Sequence, residues 1–324
     1  MKKTARLMSV AALAALSHLS PALAQNYPER PITIIVPFAV GGPTDMSARL
    51  VATQMSKEPG FTVIVENAPG AGAVVGATKG ARAAPDGYTL LWGSGSSLAM
   101  SPHLYPDIKY NPLTSFAPIG LVASQPFVMV AKPALGVKTI KDFVAKAQAA
   151  PGTLNYASTG RGASAHLAAE LFQITAKVDA THIPYSGGAP AMNALLAGDV
   201  DFLFDTTTTT VPMIQSNKVV ALGVADSKRW RQLPDVPTFQ EAGYKDFEAT
   251  TWFGLLAPAG TPEARVRLLN DRLNKALKAP EVVNALEKSG FVVESTTPEA
   301  FAQRIATDVA RWGAIIKKAN VKLD

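Results

Sequence analysis

The stretch ITIIVPFAVGGPTDMSAR, residues 32–49, decides the fold of this chain. It opens with an apolar run rich in β-branched residues, which is typical of a buried strand. Pro37 ends that run, because proline cannot donate a backbone hydrogen bond to a neighbouring strand. Gly41 and Gly42 follow, and glycine allows backbone angles that other residues resist. The stretch therefore predicts a strand that leads into a glycine turn.

A helix is predicted directly after this turn. Thr44 or Asp45 would cap it, and residues 46–55 supply its helical positions. The first N–H groups of a helix have no partner within it, and the helix dipole adds partial positive charge there. A strand, a glycine turn and a helix N-terminus in this order therefore favour a bound anion. The alternative is a purely structural role, in which Gly41 and Gly42 form a tight turn that binds no ligand.

The composition is typical of a folded, exported protein. Of 324 residues, 48% are hydrophobic and 17% are charged, so a packed core in about two domains is expected. Residues 1–24 have a basic start, an apolar middle and an Ala-Leu-Ala cleavage site, which together predict a cleaved secretory signal peptide. The alternative is a retained membrane anchor. The chain has no cysteine, so we expect neither disulfides nor a lipid anchor on cysteine. The predicted location is the periplasm, and the predicted state is a monomer.

The charge of the chain argues against a nucleic-acid partner. The predicted signal peptide holds three of the 31 basic residues and none of the 25 acidic ones, so the remaining chain carries a net charge of +3. No basic cluster is interleaved with aromatic residues, which is the pattern typical of nucleic-acid binding.

Strand patterns alternate with helix patterns along the chain, which predicts an α/β fold with mainly parallel sheets. We expect two lobes, with residues 25–125 and 249–324 in lobe one and residues 126–248 in lobe two. Crossing strands near positions 125 and 248 would join them. Five helix-opening segments are rich in glycine, serine and threonine: residues 38–45, 93–97, 158–164, 185–190 and 205–210. Ligands of open α/β sheets bind at the carboxyl ends of the strands, so these segments are expected to line one cleft.

Seven motifs follow one another along the chain: PFAVGGPTDMSAR, ENAPGAGAVVGA, PDGYTLL, GRGASAHLAAELF, IPYSGGAPAMNALLAGDVD, LPDVPTFQEAG and WFGLLAPAGTP. This ordered set resembles the Bug family, the periplasmic solute receptors of tripartite tricarboxylate transporters. The resemblance implies a two-lobed Venus-flytrap fold, in which each lobe is a mainly parallel sheet flanked by helices. It also implies a small organic carboxylate as ligand, held partly through water, and integral membrane transporter subunits as partners. No cofactor and no metal are expected.

The resemblance also assigns the ligand loops, residue by residue. They fall on Phe38, Gly41, Gly42, Thr44, Asp45, Ser96 and Ser97 in lobe one, and on Ser158, Thr159, Gly162, Ala163, Ser164 and Asp205 in lobe two. The chain departs from the family at Ala163, where a serine is usual, so one expected hydroxyl is missing. Ser164 is the candidate replacement. The run of threonines after Asp205 is also unusual and leaves the specificity open.

Structural roles compete with ligand contact at several of these positions. A carboxylate at Asp45 would repel an anionic ligand, so a helix cap is the better interpretation there unless the ligand carries an amino group. Phe38 fits the core as well as a cleft wall. The hydroxyls of Ser96, Ser97 and Thr159 can bond their own loops instead, and Asp205 can cap the next turn. His166 and His182 are interpreted as buried structural residues.

Enzymatic interpretations find little support in the sequence. The run GAGAVVG at residues 70–76 has one residue too many for a dinucleotide fingerprint. P-loop, zinc-protease and nucleophile-elbow motifs are absent from the sequence. Asp199, Asp201 and Asp205 lie close in sequence, but a metal site is not expected from them. The leading hypothesis is a carboxylate receptor for a transporter; the alternatives are a sensor subunit and, less favoured, an enzyme acting on a carboxylate.

Overall fold

The computed structural model of the protein describes residues 27–245 and 247–319, so the predicted signal peptide lies outside the described residues. The strands are β1 (Ile32–Val36), β2 (Val63–Asn67), β3 (Thr89–Ser94), β4 (Phe116–Ala131), β5 (Leu154–Ser158), β6 (Ala180–Pro184), β7 (Phe202–Thr206), β8 (Val220–Val224), β9 (Thr250–Pro258) and β10 (Val292–Val293). The helices are α1 (Pro43–Met55), α2 (Val74–Ala81), α3 (Ile140–Ala149), α4 (Ser164–Ala176), α5 (Gly188–Ala197), α6 (Thr207–Gln215), α7 (Glu263–Leu277), α8 (Pro280–Lys288) and α9 (Pro298–Ala319). Ser96–Met100 forms a short π-helix after β3.

The strands form a curled sheet with two halves. In the first half, β1 lies between β2 and β3 and is parallel to both. In the second half, β5 lies between β6 and β7, again in parallel. Parallel neighbours need a crossover connection, and α1, α2, α4 and α5 lie in the connections on the two sides. Each half therefore has the strand–helix alternation that the sequence predicts.

Two long strands join the halves. β4 pairs antiparallel with β9 from Phe116 to Pro126, and it then pairs antiparallel with β7 from Phe127 to Ala131. At the crossing point, the N–H of Phe127 donates to the carbonyl of Ala249 at 3.1 Å, and the N–H of Ala225 donates to the carbonyl of Phe127 at 2.8 Å. The sheet is mixed rather than mainly parallel, because these crossing strands pair antiparallel with every neighbour that the structure describes for them.

The hydrophobic cores divide in the same way. One core packs Ile32, Leu255 and Leu269 around the first half of the sheet. A second core packs Phe172 and Phe239 around the second half, with the two ring centroids 5.5 Å apart. The lobe boundaries at 125/126 and 248/249 remain our proposal for the two structural units, although Ala249 packs in the second core.

Three local predictions need correction. The α1 helix begins at Pro43 with Gly42 as its N-cap, so Thr44 and Asp45 lie inside the first turn and do not cap it. The crossing that the sequence predicts near position 125 lies inside one continuous strand, β4, and does not separate two strands. Segment 205–210 is not a loop, because β7 continues through Thr206 and α6 follows at once. Within the described ranges, no helix is both long and apolar enough to cross a membrane.

Candidate functional site

A cavity lies between the two halves, where the strands of both end. It has about 390 Å³ of space that protein atoms do not fill. Its lining consists of Phe38, Gly42, Pro43, Thr44, Ser94, Ser96, Phe127, Thr159, Ser164, Gly188, Asp205, Thr206, Thr251 and Phe253.

Four helices begin at this cavity. Gly42, Pro43 and Thr44 belong to the start of α1, and the starts of α4, α5 and α6 bring Ser164, Gly188 and Thr206 to the lining. In none of these four described helices does the N-cap side chain accept a hydrogen bond from the first turn. One free donor at α4 is taken up across the cleft, since the N–H of Ser164 donates to Ser96 Oγ at 2.8 Å. The positive ends of four helix dipoles therefore meet in one space.

The side chains of the lining are polar and uncharged, with one exception. Among the lining residues that the structure describes there is no lysine, arginine or histidine, and Asp205 is the one ionisable side chain. Hydroxyl groups from both halves face the same space as three phenyl rings, those of Phe38, Phe127 and Phe253. The positive potential in the cavity therefore comes from backbone groups, and the rings form an apolar wall.

Asp205 lies at the end of β7 and is almost fully buried, with 1% of its surface exposed. Its Oδ1 accepts a hydrogen bond from the N–H of Thr206 at 2.7 Å. Its Oδ2 has no hydrogen-bond partner among the described residues. Burial raises the pKa of Asp205 to about 6, while the hydrogen bond from the N–H of Thr206 acts in the opposite direction. The nearby Thr209 hydroxyl donates to the carbonyl of Thr206 at 3.1 Å. The carboxyl group is therefore still largely ionised at neutral pH.

Asp45 has a structural role outside the cavity lining. It accepts hydrogen bonds from the N–H of Gly41 at 3.0 Å and from Asn67 Nδ2 at 2.8 Å, and it pairs with Arg49 Nε at 2.9 Å. Burial alone would raise its pKa, but the bonds from Arg49, Gly41 and Asn67 hold the pKa of Asp45 below its ordinary value. This network fixes the glycine turn, where Gly41 has a φ of +89°.

Two histidines support loop 158–164 from behind. His166 Nδ1 accepts the N–H of Gly162 at 3.1 Å, and His182 Nε2 is hydrogen-bonded to Ser158 Oγ at 2.6 Å. The two imidazole rings stack with centroids 4.0 Å apart. Burial lowers the pKa of His166 to about 4 and that of His182 to about 3, so both are neutral at pH 7. His166 is buried and His182 is half-buried, and neither lines the cavity.

The lobes are in contact around the cavity. Ser96 Oγ and Ser164 Oγ are 2.8 Å apart, and the N–H of Ala39 donates to the carbonyl of Ser186 at 3.1 Å. On the outer side, Tyr105 OH donates to the carbonyl of Arg161 at 2.6 Å. Gly72 lies so close to the same carbonyl that a Cβ atom there would overlap with it. The structure therefore shows a closed arrangement.

The structure separates the predicted ligand residues into two groups. The cavity is lined by Phe38, Gly42, Thr44, Ser96, Thr159, Ser164 and Asp205, whereas Gly41, Asp45, Ser97, Ser158, Gly162 and Ala163 lie outside the lining. The Ser97 hydroxyl bonds back to the carbonyl of Ser94 at 3.1 Å. Ala163 does not line the cavity, so the hydroxyl that is missing there is not a feature of the cavity wall. Arg161 lines a neighbouring cavity instead.

Sequence reasoning did not assign seven lining residues: Pro43, Ser94, Phe127, Gly188, Thr206, Thr251 and Phe253. Pro43, Ser94, Gly188 and Thr206 lie in the predicted helix-opening segments, so the segments were identified but the side chains were not. Phe127, Thr251 and Phe253 lie on the crossing strands that form the floor of the cleft. The available signal for these three was their position next to the predicted crossings. The described residues also hold no group of three or more carboxylate, histidine or cysteine side chains that could bind a metal ion.

A family model described as the tripartite tricarboxylate transporter family receptor matches residues 47–321. The chain belongs to this receptor family. Its members are periplasmic receptors. The resemblance to the Bug proteins is confirmed, because the periplasmic binding protein BugD is 41% identical, with a TM-score of 0.88 over 91% of this chain and 99% of BugD.

Two other solved structures carry ligands. MatC from Rhodopseudomonas palustris, with bound malate, is 36% identical and has a TM-score of 0.86 over 90% of this chain and all of MatC. A second R. palustris protein, with adipate, is 31% identical and has a TM-score of 0.88 over 91% of this chain and 99% of that protein. These similarities confirm the α/β fold of the two-lobed periplasmic binding protein type.

Proposed function

We propose that the protein binds a small organic carboxylate between its two lobes in the periplasm and delivers it, as a monomer, to membrane-embedded transporter subunits. The observation that carries this proposal is the meeting of four helix N-termini at a cavity whose lining has no cationic side chain. Such an array binds a carboxylate through backbone N–H groups. Small hydroxyls from both lobes supply further donors.

The expected energetics agree with a receptor. A hydrogen bond to a charged group contributes about 1.5–3 kcal/mol net. Four or five such bonds would offset association costs of about 4–15 kcal/mol and still allow binding in the micromolar range or tighter. Solvated lysine or arginine side chains are not needed for this affinity.

The related structures support the ligand class. MatC holds malate and the second R. palustris protein holds adipate, and both ligands are small carboxylates. By analogy, we propose that the seven predicted residues at the cavity contact the ligand or its bound water. Gly42 and Gly188 face each other across the cleft, with the Cβ position of Gly42 3.6 Å from the nitrogen of Gly188.

Closure of the lobes would form the recognised surface. Several contacts around the cavity join one lobe to the other, so they exist only in the closed arrangement. A hinge motion at the crossing strands would open the cleft and admit the ligand. The transporter would then recognise the closed form, in which the loops of both lobes are adjacent.

We further propose that the protein does not transform its ligand. The cavity has one ionisable group, and no base lies beside a nucleophile among its described lining residues. A receptor needs neither group, whereas hydrolysis or isomerisation needs at least one such pair.

A ligand screen tests this proposal. Thermal shift across a panel of carboxylates should identify at least one stabilising ligand, because a ligand at 100 times its dissociation constant adds about 2.7 kcal/mol to the free energy of unfolding. Calorimetry should then give a stoichiometry of one, and mass spectrometry should recover the ligand unchanged after long incubation. The absence of any carboxylate that binds, or the appearance of a product, would contradict the proposal.

A further inference from the structure

Two buried oxygen atoms on the cavity side of α6 lack hydrogen-bond partners. They are Asp205 Oδ2 and Thr206 Oγ1, and both residues line the cavity. Asp205 is 1% exposed and Thr206 is 3% exposed, so bulk water does not solvate them. A buried oxygen without a partner is costly, and buried polar groups in proteins are almost always hydrogen-bonded. These two atoms therefore indicate a partner that enters the cavity.

The geometry of Asp205 specifies what that partner must offer. Its Oδ1 is already held by the N–H of Thr206, so the carboxylate is oriented by its own helix and Oδ2 is the remaining acceptor. Across from it lies Gly188, and a Cβ atom there would be 2.9 Å from Oδ2. A side chain at position 188 would collide with this oxygen, so the close approach of the two groups requires glycine there. Any group that reaches Oδ2 must donate a hydrogen bond to it.

We propose that the ligand is an amino-carboxylate whose ammonium group donates to Asp205 Oδ2 while its carboxylate is held at the other helix N-termini. This proposal rests on the proposed function and names the ligand class for the same site. A zwitterion matches the charge pattern, since the cavity has an array of backbone N–H groups and one buried carboxylate without a cationic partner in its lining.

An ammonium group fits better than the other donors. A ligand hydroxyl would satisfy the hydrogen bond of Oδ2 but leave the buried negative charge of Asp205 uncompensated. A methylene group at the same place would leave both the bond and the charge unsatisfied. The expected order of affinity for ligands of one carbon skeleton is therefore amino, then hydroxy, then unsubstituted.

Matched ligands test this order with the unmodified protein. The first trio is L-aspartate, L-malate and succinate; the second is L-glutamate, L-2-hydroxyglutarate and glutarate; the third is L-phenylalanine, L-3-phenyllactate and 3-phenylpropanoate. Within each trio the skeleton is constant and only the α-substituent changes. Calorimetry at pH 7.5 should give the amino member of the binding trio an affinity about 10- to 150-fold above the unsubstituted member.

A variant pair assigns the effect to Asp205. Asp205→Asn should lower affinity for the amino member by at least about 10-fold while changing affinity for the unsubstituted member little or raising it. Asp199→Asn is the matched control. Asp199 is exposed and lies in the same lobe, and its substitution removes the same single negative charge from the protein. It should leave all affinities unchanged. Circular dichroism of both variants checks that the fold is retained.

The possible outcomes separate this inference from the proposed function. Preference for the amino member that is lost in Asp205→Asn supports the inference. An unsubstituted or hydroxy member that binds as tightly as the amino member overturns it, while the carboxylate receptor stands. The same holds if the ligand found by a wider carboxylate screen has no amino group. Failure of every carboxylate to bind would overturn both.

Discussion

Two helix N-termini in this protein show opposite solutions to the same physical problem. At α3, Thr139 Oγ1 accepts the N–H of Asp142 at 3.1 Å, and Asp142 Oδ2 accepts the N–H of Thr139 at 3.1 Å. The chain thus satisfies its own free donors with a capping box. At α1, the N-cap is Gly42, which has no side chain to offer. The N–H groups of α1 are left for a group from outside the chain.

The carboxylates near these helix starts differ in the same way. Hydrogen bonds from Thr139 and from the N–H of Lys138 lower the pKa of Asp142, which lies at the surface. Burial raises the pKa of Asp205 to about 6, because only part of the carboxylate is hydrogen-bonded. The hydrogen bonds of the α3 capping box therefore stabilise the ionised form of Asp142, whereas burial destabilises the ionised form of Asp205. Helices α2, α7 and α8 also lack a side-chain cap, so the feature that marks the site is the meeting of four uncapped helix starts at one cavity.

The largest expected effect comes from giving α1 a cap of its own. Gly42 has a φ of −84° and a ψ of 175°, which suit an N-cap aspartate. In Gly42→Asp the new carboxylate would occupy the donors that the ligand needs and would repel the ligand. We expect no measurable binding in calorimetry, together with a few tenths of a kcal/mol more stability.

Gly42→Ala is the matched control for this variant. Its Cβ atom would lie at ordinary contact distance from Gly188, and it offers no competing acceptor. Affinity within about threefold of the wild type is expected for it. If Gly42→Asp also binds normally, the N-terminus of α1 is not part of the site.

The next largest effect tests whether the helix N-termini must be brought together by closure. A Cβ atom in Gly72→Ala would collide with the carbonyl of Arg161 on the facing lobe, so the lobes could not close fully. We expect at least about 100-fold weaker binding, with both lobes still folded. Small-angle scattering with saturating ligand should show a more open shape than the wild type.

Gly60→Ala separates the collision from backbone strain. Gly60 also has a positive φ, of +79°, but nothing lies within 4 Å of its Cβ position. It should lose a similar amount of stability as Gly72→Ala and none of the affinity. Equal affinities for the two variants would show that closure at this contact is not required.

A pH titration of stability examines the buried acid without any ligand. The pKa of Asp205 is about 6 when folded and near 4 in an unfolded chain, so folding favours the protonated form. The ligand-free protein should therefore gain stability relative to Asp205→Asn as the pH falls through 6 toward 4. The advantage of the variant should be about 3 kcal/mol at pH 7 and should vanish near pH 4. Urea unfolding measures it, and a difference independent of pH would be the contrary result.

The smallest effect concerns the helix that caps itself. Thr139→Ala removes the side-chain acceptor of the α3 capping box. A loss of about 1 kcal/mol in the free energy of unfolding is expected, because N-cap substitutions typically cost 0.5–2 kcal/mol. Ligand affinity should not change. A change in affinity as large as that of a cavity variant would remove the distinction between the two kinds of helix start.

Local sequence patterns could predict much of the fold. The β-branched run at β1 and the glycines after it identified the first strand and helix, and the alternation of such units identified the α/β class. The pairing of the two crossing strands, β4 and β9, was harder to predict. The first part of β4 contains two prolines and a glycine and carries no regular alternation, so its pairing with β9 depends on residues more than 120 positions away. Long-range pairing of this kind is not readable from one segment.

The cavity was predictable as a set of segments and less so as a set of side chains. Thr44 and Ser164 lie where helix starts place them, but Asp45, one residue further on, turns to the Gly41 N–H and leaves the cavity. The Ser97 hydroxyl likewise donates to the carbonyl of Ser94 in its own loop and does not face the cavity. Neighbouring residues on a first helical turn point about 100° apart, so a one-residue difference decides between lining and support. Phe127 and Phe253 reach the cavity through the path of the crossing strands, so their place in the lining could not be predicted from local sequence.

The most direct test of the central claim is a crystal structure of the protein with the carboxylate that the screen identifies. The account predicts carboxylate oxygens within about 3.2 Å of backbone nitrogens at the cavity-facing helix N-termini, including those of α1. Where water bridges one of these contacts, we expect both lobes still to enclose the ligand. A carboxylate held mainly by lysine or arginine side chains, or bound outside this cavity, would contradict the account.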